Sequence, residues 1–127
     1  MFKLSKRSMD NLKGVHTDLV KVVNRAILIS IVDFVVIEGL RSLKKQRDLY
    51  DNGFSKTMDS RHLTGHAVDL APILNGEISW AWPPFHDIAF AMKASARELK
   101  IPIVWGGDWI SFHDGPHFEL DKTRYPK

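Results

Sequence analysis

The sequence contains no cysteine in its 127 residues. That excludes a disulfide scaffold, a cysteine zinc finger, an iron–sulfur protein and a cysteine nucleophile. A long hydrophobic run is also missing. The most apolar stretch, residues 26–37, is interrupted by Ser30 and Asp33, whereas a membrane-spanning helix needs about 20 apolar residues. No five basic residues occur in succession, so nothing marks a nucleic-acid-binding tail. The first ten residues are basic, but no apolar segment follows them. An ordinary signal peptide is therefore not expected, and synthesis in the cytoplasm is. Internal repeats and low-complexity tracts are absent.

What is present is an ordinary globular mixture: 44% hydrophobic and 26% charged residues. At about 100–200 residues per domain, residues 1–127 are expected to form a single domain. The net charge is 18 − 15 = +3 and the pI about 9.3. This mild basicity suits an anionic partner such as a cell-wall polymer, a phospholipid or a nucleic acid.

Hydrophobic spacing predicts a helix over residues 8–30, capped by Ser8, with Leu12, Val15, Leu19, Val22, Val23 and Ala26 on one face and Gly14 as a weak point. Phe34 to Leu40 reads as a buried strand closed by Arg41. A short helix capped by Ser42 should stop at Asn52-Gly53. His66 to Leu70 reads as a strand, weakened beyond by Pro72, and Asn75-Gly76 as a hairpin turn with Glu77 to Trp80 returning. Pro83-Pro84 opens a helix over about 84–100, with Phe85, Ile88, Met92, Ala96 and Leu99 as its buried stripe. Ile101 to Trp105 and Phe118 to Leu120 complete the strands. The mixture lacks a regular strand–helix–strand repeat, which predicts an α+β fold with a largely antiparallel sheet.

Four of the six histidines fall in two short segments, His62 with His66 and His113 with His117, and each segment carries an aspartate, Asp69 and Asp114. Histidine and aspartate are ligand types for a catalytic zinc, which takes three protein ligands and leaves one position for water. In a strand over 66–70, His66 and Asp69 point to opposite faces, which argues against both holding one ion. Gly115 and Pro116 exclude a helix for the second segment, leaving a turn that feeds a strand. Glu119, two residues after His117, falls on the same strand face, where it either orients a ligand or ends in solvent. His113 is open between a partner of the site, a substrate contact and a turn residue. His16 and His86 read as surface residues on helices. Trp80, Trp82, Trp105 and Trp109 read by default as packing residues, some of them available to line a substrate groove.

The pattern Ser60-x-His62-x-x-Gly65-x-Ala67-x-Asp69, followed by Asp114-x-x-His117, resembles the zinc D-Ala-D-Ala carboxypeptidase and L-alanyl-D-glutamate endopeptidase family. Trp105-Gly106-Gly107-Asp108-Trp109 and Asp114-Gly115-Pro116-His117-Phe118-Glu119-Leu120 are similar to its endopeptidase branch, which includes small phage endolysins. The resemblance spans about Phe34 to Leu120. It implies His62, Asp69 and His117 as ligands of one Zn2+ and Asp114 as the catalytic base. Many carboxypeptidase members carry Glu at the last of these positions, so Asp114 favours the endopeptidase branch. Arg41 in Glu38-Gly39-Leu40-Arg41-Ser42 corresponds to the family arginine, with roles in catalysis and substrate binding. Ser60 and His113 are further candidates for substrate contacts, Ser60 having the plainer alternative of capping its turn. The implied fold is a small antiparallel sheet with helices packed on one side, shared with hedgehog signalling domains.

The expected activity is hydrolysis of the bond between L-Ala and D-Glu in peptidoglycan stem peptides. Removal of a terminal D-Ala and a non-catalytic zinc-binding domain are the alternatives. The expected partner is the stem peptide, met by a monomer without nucleic acid or stable membrane association. The expected route to the cell wall is release by a holin-type membrane-permeabilising partner.

Overall fold

The computed structural model describes all 127 residues. Its elements run α1 (Lys6–Asn11), α2 (Thr17–Ile29), β1 (Asp33–Glu38), α3 (Leu43–Asp51), β2 (Ala67–Leu74), β3 (Glu77–Ile78), α4 (Trp82–Leu99), β4 (Ile103–Trp105) and β5 (His117–Leu120). Short 3-10 turns at Arg61–Thr64 and Gly106–Asp108 precede β2 and follow β4. The expected α+β class is observed, as an antiparallel sheet in the order β1-β2-β5-β4 with β3 added to β2.

Strand alternation gives the sheet two unlike faces. Phe34 and Val36 of β1, Val68 and Leu70 of β2, and Phe118 and Leu120 of β5 belong to one apolar core with Leu19, Val22, Val23 and Ala26 of α2 and Phe85, Ile88, Met92 and Ala96 of α4. Fully burying a side chain of this size contributes about 1.5–3 kcal/mol, so this face holds the helices to the sheet. Ala67, Asp69, His117 and Glu119 alternate with those residues and take the opposite face. Cross-strand register sets Asp69 directly opposite His117 and Ala67 opposite Glu119.

The single helix expected over 8–30 is two. Gly14 adopts φ +84°, a left-handed conformation that ends a helix and that glycine adopts without penalty. The cap of α1 is Ser5, whose hydroxyl accepts the Ser8 N–H. Ser8 itself is buried, and its hydroxyl accepts the Val36 N–H of β1. His16 caps α2, its Nδ1 accepting the Asp18 N–H at 3.0 Å, so it serves the helix start rather than a helix surface.

The strand at 67 runs straight through Pro72 to Leu74. The carbonyl of Pro72 accepts the Ser79 N–H. N–H and C=O of one strand residue face the same edge, so the missing donor lies on the β3 side, beyond the end of β5, and leaves the pairing with β1 intact. The return strand is only Glu77–Ile78. Ser42 caps α3 as expected, accepting the Lys45 N–H, and the last strand starts at His117, one residue before the expected start.

Candidate metal centre

β2 and β5 deliver Asp69 and His117, and the 3-10 turn before β2 delivers His62. One ligand atom from each of these three side chains lies within 4.8 Å of the others. His62 Nε2 is 3.3 Å and His117 Nδ1 3.4 Å from Asp69 Oδ1.

The remaining nitrogen of each imidazole is already engaged. His62 Nδ1 faces the Gly39 carbonyl at 2.9 Å, and since a carbonyl only accepts, that nitrogen carries the proton. Nε2 is thereby left free for an ion. His117 Nε2 meets Glu119 Oε1 at 2.8 Å, which directs Nδ1 inward. Glu119 Oε2 in turn faces Arg61 Nε at 3.6 Å, while Arg61 Nη2 donates to the carbonyls of Leu120 and Tyr125. Carboxylates behind a ligating histidine fix its orientation and raise its basicity, so Glu119 takes the orienting alternative and not the solvent one.

Two imidazoles and one carboxylate, with tautomers set and the fourth side open to a cleft, fit a divalent metal with an exchangeable position. The charges agree. Burial alone would raise the Asp69 carboxyl, but the close contacts with His117 and His62 outweigh it and hold that group far below the usual carboxylate range. Burial would lower His117, and its contacts with Asp69 and Glu119 instead push it up to about 9. The protein thus concentrates negative potential where a cation would sit.

His66 lies outside this group. Its Nδ1 meets Thr64 Oγ1 and its ring packs 5.5 Å from that of His16, one residue before β2 begins.

The site opens into a cleft of about 390 Å³ bordered by Arg41, Lys45, Ser60, Trp109 and Asp114 among others. Burial, reinforced by the Asp69 carboxylate, raises the Asp114 carboxyl above the usual range. Its placement depends on Gly106. A Cβ there would stand 2.4 Å from the Asp114 carbonyl oxygen and 3.0 Å from the Cβ atoms of Asp114 and His117, so only glycine lets the two segments close on each other. Asp108 pairs with Lys93 on the surface at 2.7 Å, in keeping with a turn residue. Ser60 accepts the His62 N–H at 3.2 Å, so it caps the turn while also bordering the cleft. His113 borders a neighbouring depression instead, its Nδ1 3.1 Å from the Gly107 carbonyl.

Arg41 is nearly buried, with Nη2 3.8 Å from Asp69 Oδ2. Two groups that the sequence did not single out hold it. Glu38 pairs with both Arg41 Nε and Lys45 Nζ. Its aim comes from a bulge in β1: Val36 pairs with Leu70 but Glu38 with Asp69, with Ile37 as the extra residue. Without the bulge Glu38 would follow Val36 into the core; with it, Glu38 joins the Asp69 face. The second group is Gln46, fully buried on α3. Its carbonyl accepts Arg41 Nη1 at 2.7 Å, and its amide donates to Ser55 Oγ and to the Thr57 carbonyl. The only sequence signal for it is its position three residues before Leu49, on the inward side of α3.

Comparison with known proteins gives a consistent result. Residues 1–121 match the family model "Phage L-alanyl-D-glutamate peptidase". The chain is 34% identical to the L-alanyl-D-glutamate peptidase of Escherichia phage T5 over 98% of its own length and 93% of that protein. It is 30% identical to the peptidoglycan L-alanyl-D-glutamate endopeptidase CwlK of Bacillus subtilis, over 70% of this chain and 61% of CwlK. The crystal structure of the Serratia marcescens L-Ala D-Glu endopeptidase ChiX superposes with a TM-score of 0.95 at 47% identity, covering 99% of this chain and 95% of ChiX. The vancomycin-resistance D,D-dipeptidase VanXYg shares the fold at 20% identity and a TM-score of 0.58, over 84% of this chain and 50% of that one. With its fold, its two-histidine, one-aspartate centre and its near full-length match, the chain belongs to the phage L-alanyl-D-glutamate peptidase family.

Proposed function

We propose that the protein is a zinc endopeptidase that hydrolyses the L-alanyl–D-glutamate bond of peptidoglycan stem peptides. The observation that carries this reading is the convergence of His62, Asp69 and His117 on one point beside a cleft that also holds Asp114 and Arg41. Zinc held by those three side chains supplies Lewis acidity to a water molecule and to the scissile carbonyl.

Asp114 takes the proton of the attacking water and hands it to the leaving amine of D-Glu. One carboxyl group serves both steps, since the proton it takes as base is the one it returns as acid. Arg41, clamped by Glu38 and Gln46, holds a fixed positive charge toward the oxyanion that develops on the L-Ala carbonyl. Lys45 and Lys56 border the same cleft and offer cations to the carboxylates on the D-Glu side. Ser60 contacts the peptide at the cleft wall. No helix is long and apolar enough to cross a membrane, and the route we infer to the wall is release by a membrane-permeabilising partner.

The test is mass spectrometry of purified peptidoglycan after incubation with the zinc-loaded protein, beside a chelator-treated control. Chelator-sensitive release of peptides that begin with D-Glu is expected. Loss of a terminal D-Ala alone would reassign the enzyme as a carboxypeptidase, and an unchanged wall would leave a zinc-binding domain without this activity.

A further inference from the structure

Beside the reaction cleft lies a second depression, of about 200 Å³, bordered by Trp80, Trp82, Phe85 and His113. Asp114 is the one residue that borders both. The two differ in chemistry. The main cleft carries Arg41, Lys45 and Lys56; the second has no lysine or arginine on its walls.

Its aromatic rings are costly to leave in water. Trp80 is 63% exposed and Trp82 45% exposed, although both have packing partners. Trp80 stacks on Phe85 at 6.1 Å between ring centroids, and Trp82 meets the edges of Trp105 and His113, each at 6.4 Å. The two indoles are thus held in fixed orientation with surface to spare. Gly115 at the floor has little room for a side chain, since a Cβ there would stand 3.3 Å from both the Phe85 and Trp82 rings.

The substrate has the same asymmetry, given the reading above on which this inference rests. On the D-Glu side the stem peptide is anionic. On the L-Ala side a single residue, at most about 3.6 Å of chain, and a lactyl group separate the scissile bond from a neutral N-acetylated sugar. The C–H faces of a pyranose are weakly electropositive and stack on the negative face of an aromatic ring. An indole-lined depression without lysine or arginine, sharing only the Asp114 carboxylate with the reaction cleft, matches that neighbour and not the anionic arm.

We propose that the Trp80–Trp82 depression is a subsite for the N-acetylmuramic acid that carries the stem peptide. The enzyme would then read the glycan attachment as well as the L-Ala–D-Glu bond, and prefer sugar-linked stems over stems already released from the strand.

The experiment compares kcat/KM of the zinc-loaded full chain on two defined substrates, N-acetylmuramoyl-L-Ala-D-Glu-γ-diaminopimelate and its sugar-free counterpart N-lactoyl-L-Ala-D-Glu-γ-diaminopimelate. The sugar-linked substrate should be preferred by about tenfold, the upper range for one well-placed aromatic contact. Trp80→Ala and Trp82→Ala should each bring the ratio toward one. As a second measurement in the wild-type protein, the indole N–H resonances of Trp80 and Trp82 should shift when N-acetylmuramic acid is added. Equal rates on both substrates, a ratio unchanged in an active Trp80→Ala, or an unmoved Trp80 resonance would overturn the subsite and leave the peptidase reading standing. Cleavage of neither substrate would remove the peptidase reading and the subsite with it.

Discussion

The two faces of this one sheet differ in chemistry and in task. On the helix side, Val36, Leu70, Phe118 and Leu120 are fully buried and purely apolar. On the other, Glu38, Asp69, His117 and Glu119 are largely withdrawn from water yet ionisable. Buried charge is tolerated only when paired, and each of these groups has a partner: Arg41 for Glu38, the two histidines for Asp69, His117 and Arg61 for Glu119. The difference shows how a short chain serves stability and chemistry with the same strands. Adjacent residues divide the work, because neighbours in a regular stretch of strand point to opposite faces.

The division should be breakable one face at a time. The largest effect belongs to the reaction itself: Asp114→Ala should lower kcat by about 10²–10⁴ while metal content and melting temperature hold, whereas His117→Ala should lose the metal too. Metal analysis beside steady-state rates separates the two, and an active Asp114→Ala would remove Asp114 as the base. On the opposite face, Phe118→Ala should cost about 3–5 kcal/mol of folding stability, read by denaturant unfolding, although the ring touches no reacting group. Glu119→Gln should weaken metal affinity by about 10–100-fold in a competition titration with a chelator. Gln46→Met removes a support for Arg41 and should lower kcat about tenfold, well within the cost of losing one stabilising donor outright. In an Arg41→Lys background the same change should have a much smaller effect, since the two side chains act as a pair; equal effects in both backgrounds would reduce Gln46 to a structural role.

The smallest effect belongs to a side-chain pair that joins α2 to the C-terminal segment. Tyr125 Oη donates to Asp18 at 2.7 Å, and that hydrogen bond lowers the Asp18 carboxyl and raises the Tyr125 hydroxyl. A lowered carboxyl stabilises the fold above its unfolded value of about 3.8 and loses that contribution as the pH falls through its folded value. A raised phenol contributes below about 10 and loses it as the pH rises further. Tyr125→Phe should therefore be slightly less stable than the parent at neutral pH, water screening keeping the gap small, and the two melting curves should converge at both extremes.

Much of this division was legible in the sequence, and the reason is periodicity. The alternation around Asp69 and His117 is a period-two signal that survives folding, so the exclusion of His66 and the shared face of His117 and Glu119 could be derived before any coordinates. The Ser42 cap is equally local, and so is the stripe of α4 from Phe85 to Ala96, whereas Leu99, expected in that stripe, is exposed at the helix end. What could not be read is whatever depends on two distant segments meeting. The hydroxyl of Ser8 looks like a cap until β1 arrives to donate to it. Pro72 looks like a strand breaker until it is clear which edge lacks the donor. Glu38 and Gln46 look like surface residues because no local pattern records that Arg41 folds back between them.

The bulge in β1 has a consequence for how this chain tolerates change. Before it, the strand is a wall of the hydrophobic core; after it, the same strand is a wall of the cleft. Substitution of Ile37, half-exposed at the irregularity, alters one side chain. Deletion of Ile37 would restore the regular alternation and drive the Glu38 carboxylate toward the apolar core, leaving Arg41 and Lys45 without their common partner. Around that residue, length is under far tighter constraint than identity, and a gap of one would disturb more than most replacements there.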